Sequence, residues 1–427
     1  LSVPRQVLGK KAYFEEMYLL GCNSVLYLIQ ALSKRFAGSP RLFLVTRGAQ
    51  AVQEKEPVAI EQSAIWGLGK VISFEFPELK CIRIDLDPQQ ADGASIKHLT
   101  QQLRREDVED QIAFRSTRRF VNRLLPFRQM SPLGTSEVLV QTNSTYLITG
   151  GLGGLGLLTA KWLVGQGATQ LVLMGRSEPS AAATQAIADL QKDGANIIVA
   201  TADVGDQEQM KAIFQRIKDE LPTLRGVIHA AGVLDDGSLL NLDRGRMKKV
   251  MVPKVEGAWI LHEETASLPL DFFVLFSSAV SVLGAPGQGN YAAGSAYLDA
   301  MAYYRQQQGL PALSINWGPW GEVGLAAEAT ERLEEQNAST QHLVKVIKAD
   351  EGLEVLDFLL TTPQPQVVVL PFDLKNLLEL YPTAASMPFF AEVGGSDSHV
   401  ARLYARPKLR QAYVEPRNEV ERKLAEL

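Results

Sequence analysis

The chain has 427 residues, 46% of them hydrophobic, and 43 Lys and Arg against 48 Asp and Glu give a net charge of -5. That length has room for two or three domains with a full core, and an acidic balance without a basic stripe excludes nucleic acid as the main partner. Cys22 and Cys81 lie far apart without metal-type spacing, which excludes a disulfide framework and fits a reduced, cytoplasmic protein. The longest apolar stretch, 272–285, is broken by Ser277, Ser278 and Ser281 and is too short for a bilayer, so no membrane segment is expected. Beginning at Leu1 with no charged-then-apolar leader, the chain reads as a piece of something longer.

Apolar residues recur at helical spacing over 10–36, predicting one long or two short helices. A strand follows over 41–47, then a helix over 63–75 carrying Trp66-Gly-Leu-Gly69, then a strand over 80–86. This alternation predicts an α/β layer without a phosphate turn or a catalytic set, and therefore a structural role. Leu42-Phe-Leu-Val-Thr-Arg-Gly48 is similar to Leu171-Val-Leu-Met-Gly-Arg-Ser177, as expected of one α/β unit beside another. Pro, Gly, Ser and Thr gather over 126–141, which places a boundary near residue 135.

The second half alternates more regularly. Strands are expected at 145–149, 170–174, 196–202, 226–229, 272–277, 312–317 and 366–372, with helices at 157–165, 181–193, 207–221, 247–266, 291–308 and 349–360. The fold class is thus α/β: two Rossmann-like subdomains, a truncated structural one over 1–135 and a doubly wound parallel-sheet one over 136–393. A charged helix at 325–337 reads either as a lid over the substrate, slightly favoured, or as a solvated surface helix. Residues 394–427, polar and punctuated by proline, read as a linker.

The first strand of the second half ends in Thr149, Gly150, Gly151, Leu152, Gly153, Gly154, Leu155 and Gly156, five glycines within seven residues, and a helical pattern begins directly afterwards. Glycines there let the backbone bend tightly and approach a ligand, while the free N–H groups of the next helix attract a pyrophosphate. A dinucleotide is the expected ligand. The next strand ends in Gly175-Arg176-Ser177, and Arg176 offers a fixed charged fork for a 2′-phosphate where an NAD-binding protein would place an acid, so NADPH is expected. Asp203 and Val204 at the end of the third strand are expected to face the adenine edge. Small Ala230, Ala231 and Gly232 end the fourth, where the cofactor would lie close.

Taken together, His229-Ala-Ala-Gly-Val-Leu-Asp-Asp236, Lys254-Val-Glu-Gly-Ala258, Phe276-Ser-Ser278, Gly287-Gln-Gly-Asn-Tyr-Ala292 and Ile315-Asn-Trp-Gly-Pro-Trp-Gly321 resemble the ketoreductase domain of modular (type I) polyketide synthases, in the short-chain dehydrogenase/reductase superfamily. In the first half, Trp66-Gly-Leu-Gly69 and Ile84-Asp-Leu-Asp-Pro88 resemble the truncated subdomain of that family, and 406–416 resembles the linker toward an acyl carrier domain. The resemblance implies NADPH-dependent reduction of the 3-keto group of a phosphopantetheine-linked thioester on that carrier, with other polyketide synthase domains of the same chain as neighbours. It assigns Tyr291 as general acid, Ser278 as carbonyl partner and Lys254 as contact to the ribose and Tyr291. Hydride arriving at a ketone leaves negative charge on oxygen, and a nearby ammonium is expected to make the phenol a readier donor.

Ser295 stands where the family usually has Asn, and four residues after Tyr291 it shares that helix face. It keeps open an alternative, a redox-inactive scaffold or epimerase. Leu234, Asp235 and Asp236 match the family's B-type signature, Leu283 replaces the Trp of the opposite type, and Gln288 joins them as an expected stereocontrol residue; the implied product is a D-configured 3-hydroxyl. Arg244, Arg246, Lys248 and Lys249 form a basic run that either is a solvated helix face or guides an acidic carrier domain.

Overall fold

The computed structural model describes residues 10–35, 40–53, 56–90, 92–106, 108–127, 140–321, 346–371 and 387–392. The expected lid at 325–337 and the linker at 394–427 lie outside them. By contact density the chain divides into a large unit, Leu1–Asn122 with Phe127–Asp373, and a small one, Arg123–Pro126 with Leu374–Leu427. In the small unit the Leu124 N–H donates to the Phe389 carbonyl at 2.9 Å.

The large unit holds two sheets. The first begins behind two helices, α1 (Lys10–Tyr18) and α2 (Ser24–Arg35), joined through a π-helical turn at Leu19–Asn23 where Gly21 breaks the helical geometry. Strand β1 (Phe43–Arg47), helix α3 (Ser63–Glu75), strand β2 (Ile82–Leu86), helix α4 (Asp92–Arg104) and strands β3 (Gln111–Arg115) and β4 (Arg118–Val121) follow. Strands β1, β2 and β3 run parallel, and β4 returns antiparallel. Elements α4, β3 and β4 are additions to what the sequence pattern predicts.

The second sheet contains β5 (Thr145–Thr149), β6 (Gln170–Gly175), β7 (Asn196–Thr201), β8 (Leu224–His229), β9 (Phe272–Ser278), β10 (Leu313–Trp317) and β11 (Gln366–Val369). Its order is β11-β10-β9-β8-β5-β6-β7 and every pairing is parallel. Central strands β5 and β9 are buried along their whole length, as expected of a sheet covered on both faces. One face is covered by α5 (Gly154–Gly165), α6 (Ala181–Lys192) and α11 (Ala349–Leu360). On the other lie α7 (Gln207–Glu220), α8 (Arg244–Thr265) and α10 (Gly289–Gln307), with the short α9 (Val280–Leu283) after β9. Strand order reverses between β5 and β8, so the crevice beyond their carboxyl ends is the favoured ligand position.

Helices α3 and α10 bring the two sheets into one unit. A Cβ on Gly67 would sit 2.2 Å from the Ala292 carbonyl oxygen, so the backbones of α3 and α10 touch where only glycine fits. The Tyr18 hydroxyl also donates to Glu256 of α8 at 3.1 Å. Among the described residues, no helix is long and apolar enough to cross a membrane, and no cluster of His, Cys, Asp and Glu could hold a metal ion.

Candidate active site

The glycine turn lies between β5 and α5. Gly150 adopts a positive φ of 71°, and a Cβ there would stand 2.8 Å from the Ala230 backbone. One on Gly156 would lie 2.2 Å from the Gly150 carbonyl oxygen. These two glycines therefore fold the turn onto the end of β8. The first intrahelical bond of α5 runs from the Leu157 N–H to the Gly153 carbonyl at 2.9 Å, so the N–H groups of the first turn have no helical acceptor and point out of its end. Leu152 lies over Gly175, where a Cβ would meet its Cδ1 at 2.8 Å, and Leu155 sits partly buried in the first turn of α5. Arg176 and Ser177 are exposed just beyond β6, while Ala230, Ala231 and Gly232 are partly open beyond β8.

Some of the expected cofactor contacts are directed elsewhere. The buried Thr149 hydroxyl meets His229 Nδ1 at 2.6 Å, and Val204 packs in the core beneath Gly257. Asp203 turns back to accept from the Gly205 N–H at 2.9 Å. The other ring nitrogen of His229 meets the Pro253 carbonyl at 3.0 Å, on the residue before Lys254. Burial holds the His229 pKa down at about 3, so the ring stays neutral and works as a strut between β5, β8 and α8.

Lys254, Ser278, Tyr291 and Ser295 come from α8, β9 and α10. The Lys254 ammonium is 4.6 Å from the centre of the Tyr291 ring and donates to the Phe276 carbonyl at 3.3 Å. Gly294 leaves the room for it, since a Cβ there would crowd the Lys254 side chain at 3.2 Å. Burial lowers the Lys254 pKa to about 8. Ser278 Oγ accepts from the Val280 N–H at 3.3 Å, which leaves its own hydrogen to donate.

The expectation of a phenol eased toward ionisation is corrected. Burial, with a smaller push from the Asp236 charge, raises Tyr291 to about 12. Desolvation is the larger cause, and the Lys254 ammonium lies over the ring, 4.6 Å from its centre. Ser295 is fully buried and its hydroxyl has no hydrogen-bond partner among the described residues, while its carbonyl accepts from Ser277 Oγ at 3.1 Å. It makes no direct hydrogen bond to Lys254.

Below Ser278 lies a buried polar network that the sequence does not announce. Asp299 accepts from Ser281 Oγ at 2.6 Å, Ser314 Oγ at 2.7 Å and Asn316 Nδ2 at 2.8 Å. Asn316 Nδ2 also donates to the Ser278 carbonyl at 3.2 Å. Burial raises the Asp299 pKa against these hydrogen bonds, and its charge in turn favours the charged form of Lys254.

The Leu234-Asp235-Asp236 segment lies in the loop after β8. Gln288 Nε2 donates to Asp236 at 2.9 Å, and partial burial with the adjoining Asp235 raises the Asp236 pKa. Asp235 is held below the usual carboxylate range by Lys249 and Arg246. Buried Asn290, also missed in the sequence, donates to the Asp235 carbonyl at 2.8 Å and accepts from the Tyr291 N–H at 2.8 Å. It thus ties this loop to the start of α10, and its sequence signal is its place in the Gly287-Gln-Gly-Asn-Tyr-Ala292 motif. Leu283 is partly buried at the end of α9.

The basic run of α8 is not a free cationic face. Arg244 and Lys248 pair with Glu15 of α1, and Arg246 and Lys249 pair with Asp235. Its acids come from a distant helix and a preceding loop, so two carboxylates offset half of the charge visible in sequence.

The family description "KR domain" matches residues 144–322, and "Polyketide synthase extender module SpnB, Rossmann fold domain" matches 10–124. A structure of A-type ketoreductases from a modular polyketide synthase superposes with a TM-score of 0.76 at 34% identity, covering 86% of this chain and 76% of that one. The chain belongs to the ketoreductase domains of modular polyketide synthases. The ketoreductase from the first module of phoslactomycin biosynthesis in Streptomyces sp. HK803 is 30% identical with a TM-score of 0.75, covering 87% of this chain and 86% of its own. A phenolphthiocerol/phthiocerol polyketide synthase of Mycobacterium tuberculosis is 37% identical over 375 residues, and polyketide synthase GfsA of Streptomyces halstedii 36% over 378; each match covers 87% of this chain. This ketoreductase domain spans 20% of the first and 5% of the second, so these relatives are far longer multidomain chains. Membership makes it a nicotinamide-dependent oxidoreductase by class, built from two Rossmann-like subdomains.

Proposed function

We propose that this domain reduces the 3-keto group of a polyketide thioester on an acyl carrier domain, using NADPH and giving a D-configured 3-hydroxyl. The Lys254 ammonium over the Tyr291 ring at 4.6 Å, held to the Phe276 carbonyl of β9, the strand that ends in Ser278, carries the reading. The first turn of α5 and the Gly150 cradle suit a pyrophosphate, Arg176 suits a 2′-phosphate, and the bound cofactor supplies the hydride. Ser278 donates to the ketone oxygen and holds it. With its pKa near 12, Tyr291 keeps its proton at neutral pH and gives it to the far more basic alkoxide. Lys254, charged below about 8, stabilises the phenolate left behind.

The B-type assignment rests on the family resemblance of residues 234–236, where Asp236 accepts from Gln288 at 2.9 Å; the A-type structures share the fold. The domain division near residue 135 and the role of 394–427 as a linker belong to the same proposal. The decisive experiment is NADPH absorbance with a diketide N-acetylcysteamine thioester, followed by chiral analysis. One D-configured alcohol supports the reading; NADPH binding without turnover would favour a scaffold or epimerase instead.

Two further results are expected. Replacing Arg176 with Ala removes the fork for the 2′-phosphate and should cut the preference for NADPH over NADH about 10–100-fold, from one charge-assisted bidentate contact. An unchanged ratio would place 2′-phosphate recognition elsewhere. Since burial lowers Lys254 to about 8, its charged form prevails below that value and is lost above it, so kcat/KM should fall as pH rises through about 8. The Lys254→Met variant should be slower and lack that alkaline limb.

A further inference from the structure

The first half carries no chemistry that its sequence reveals, yet three of its side chains reach into the loops around the proposed site. Gln30 of α2 donates to the Leu239 and Leu242 carbonyls at 2.9 and 2.7 Å, and Lys70 of α3 donates to the Ser281 carbonyl at 2.9 Å. Glu75 has the more specific position. Its Oε2 accepts from the Leu239 N–H at 2.8 Å and its Oε1 from the Gly287 N–H at 2.8 Å, so one carboxylate bridges the loop carrying Asp235 and Asp236 and the loop carrying Gln288. It is the last residue of α3, where the helix dipole disfavours an acid, and no base stands in that turn. A local rule broken in this way calls for a tertiary compensation, and the two backbone donors provide it.

Where Glu75 holds them, the loops meet. The Gly237 N–H donates to the Gly287 carbonyl at 2.7 Å, beside the Gln288 to Asp236 hydrogen bond. Gly287 is at a φ of 82°, and a Cβ on Gly284 would meet the Phe74 ring at 2.7 Å, so this crossing is tight and permits little slack. We infer that Glu75 is a positioning residue: the non-catalytic half uses it to fix the two loops that orient the ketone, and thereby helps to set which face of the substrate is reduced. The stereochemical part rests on the function proposed above; the positioning part does not.

The test is the Glu75→Gln variant, whose amide keeps one acceptor and turns the other into a donor facing an N–H. Amide hydrogen exchange at Leu239 and Gly287 should accelerate about tenfold or more, as expected when a charged acceptor is lost. The KM for the diketide thioester should rise and the alcohol should become a mixture, with NADPH affinity within about twofold of the parent, because the glycine turn makes no contact with Glu75. An Ile84→Val control, in the core of the first sheet, should soften that half without moving any of these readouts. Unchanged exchange at both amides, or the same changes in Ile84→Val, would overturn the inference. A parent domain that reduces no thioester would defeat the proposed function alone, and the exchange result would still decide the role of Glu75.

Discussion

Tyr291→Phe should lower kcat by about 10²–10⁴, the usual contribution of a positioned proton donor, while binding NADPH as the parent does. The substitution is informative because it separates chemistry from packing. Lys254 stands over the ring, so phenylalanine keeps the face that the ammonium rests on. Only the proton is removed. The alkoxide formed by hydride arrival must then take its proton from water, and the oxygen loses a hydrogen bond at the moment its charge is greatest. Stopped-flow turnover, cofactor titration by fluorescence and thermal unfolding should be measured on one preparation. Retention of more than about a tenth of the parent rate would remove Tyr291 from the proton step, given the smallest usual effect of such a group. Loss of NADPH binding would point to a misfolded cleft.

The parts legible in the sequence are those encoded locally. The Gly150 to Gly156 turn declares itself because close backbone approach and positive φ leave few residue choices, and strand and helix alternate clearly enough to give the parallel second sheet. Tyr291, Lys254 and Ser278 stand out through their resemblance to a family pattern; composition alone would leave them as a packed aromatic, a surface charge and a turn residue. What the sequence hides depends on distant pairing. Glu75 meets Leu239 and Gly287 at separations of 164 and 212 residues, and Arg244 meets Glu15 across 229, so neither the grip of the first half nor the ion pairing of the basic run shows as a pattern. The Tyr291 shift escapes the sequence for a related reason. A nearby ammonium lowers a phenol pKa, but burial set by the packed fold determines the sign here. Strand β4 is hidden because it has only four residues, Arg118 to Val121, two of them Arg, too few to show an alternating apolar face.

Gly67→Ala should destabilise the domain by about 2–4 kcal/mol and lower Tm by roughly 3–5 °C for a unit of this size, since overpacking commonly costs about 1–3 kcal/mol and here the obstruction is backbone. In an exposed helix the same change would help by up to about 1 kcal/mol through helix propensity. Gly93 of α4 offers that comparison, because a Cβ there meets nothing within 4 Å. At Gly67 the new methyl would lie 2.2 Å from the Ala292 oxygen and 2.6 Å from its carbonyl carbon, and no side chain can swing away to admit it. Helices α3 and α10 would have to part. Since Ala292 follows Tyr291, the separation would displace the proposed proton donor together with Glu75 at the far end of α3, and activity should fall further than the modest unfolding at room temperature explains. Thermal unfolding of Gly67→Ala and Gly93→Ala, with turnover measured well below either transition, separates the two effects. If Gly67→Ala were as stable and active as Gly93→Ala, the close contact of α3 and α10 would not be what joins the two halves.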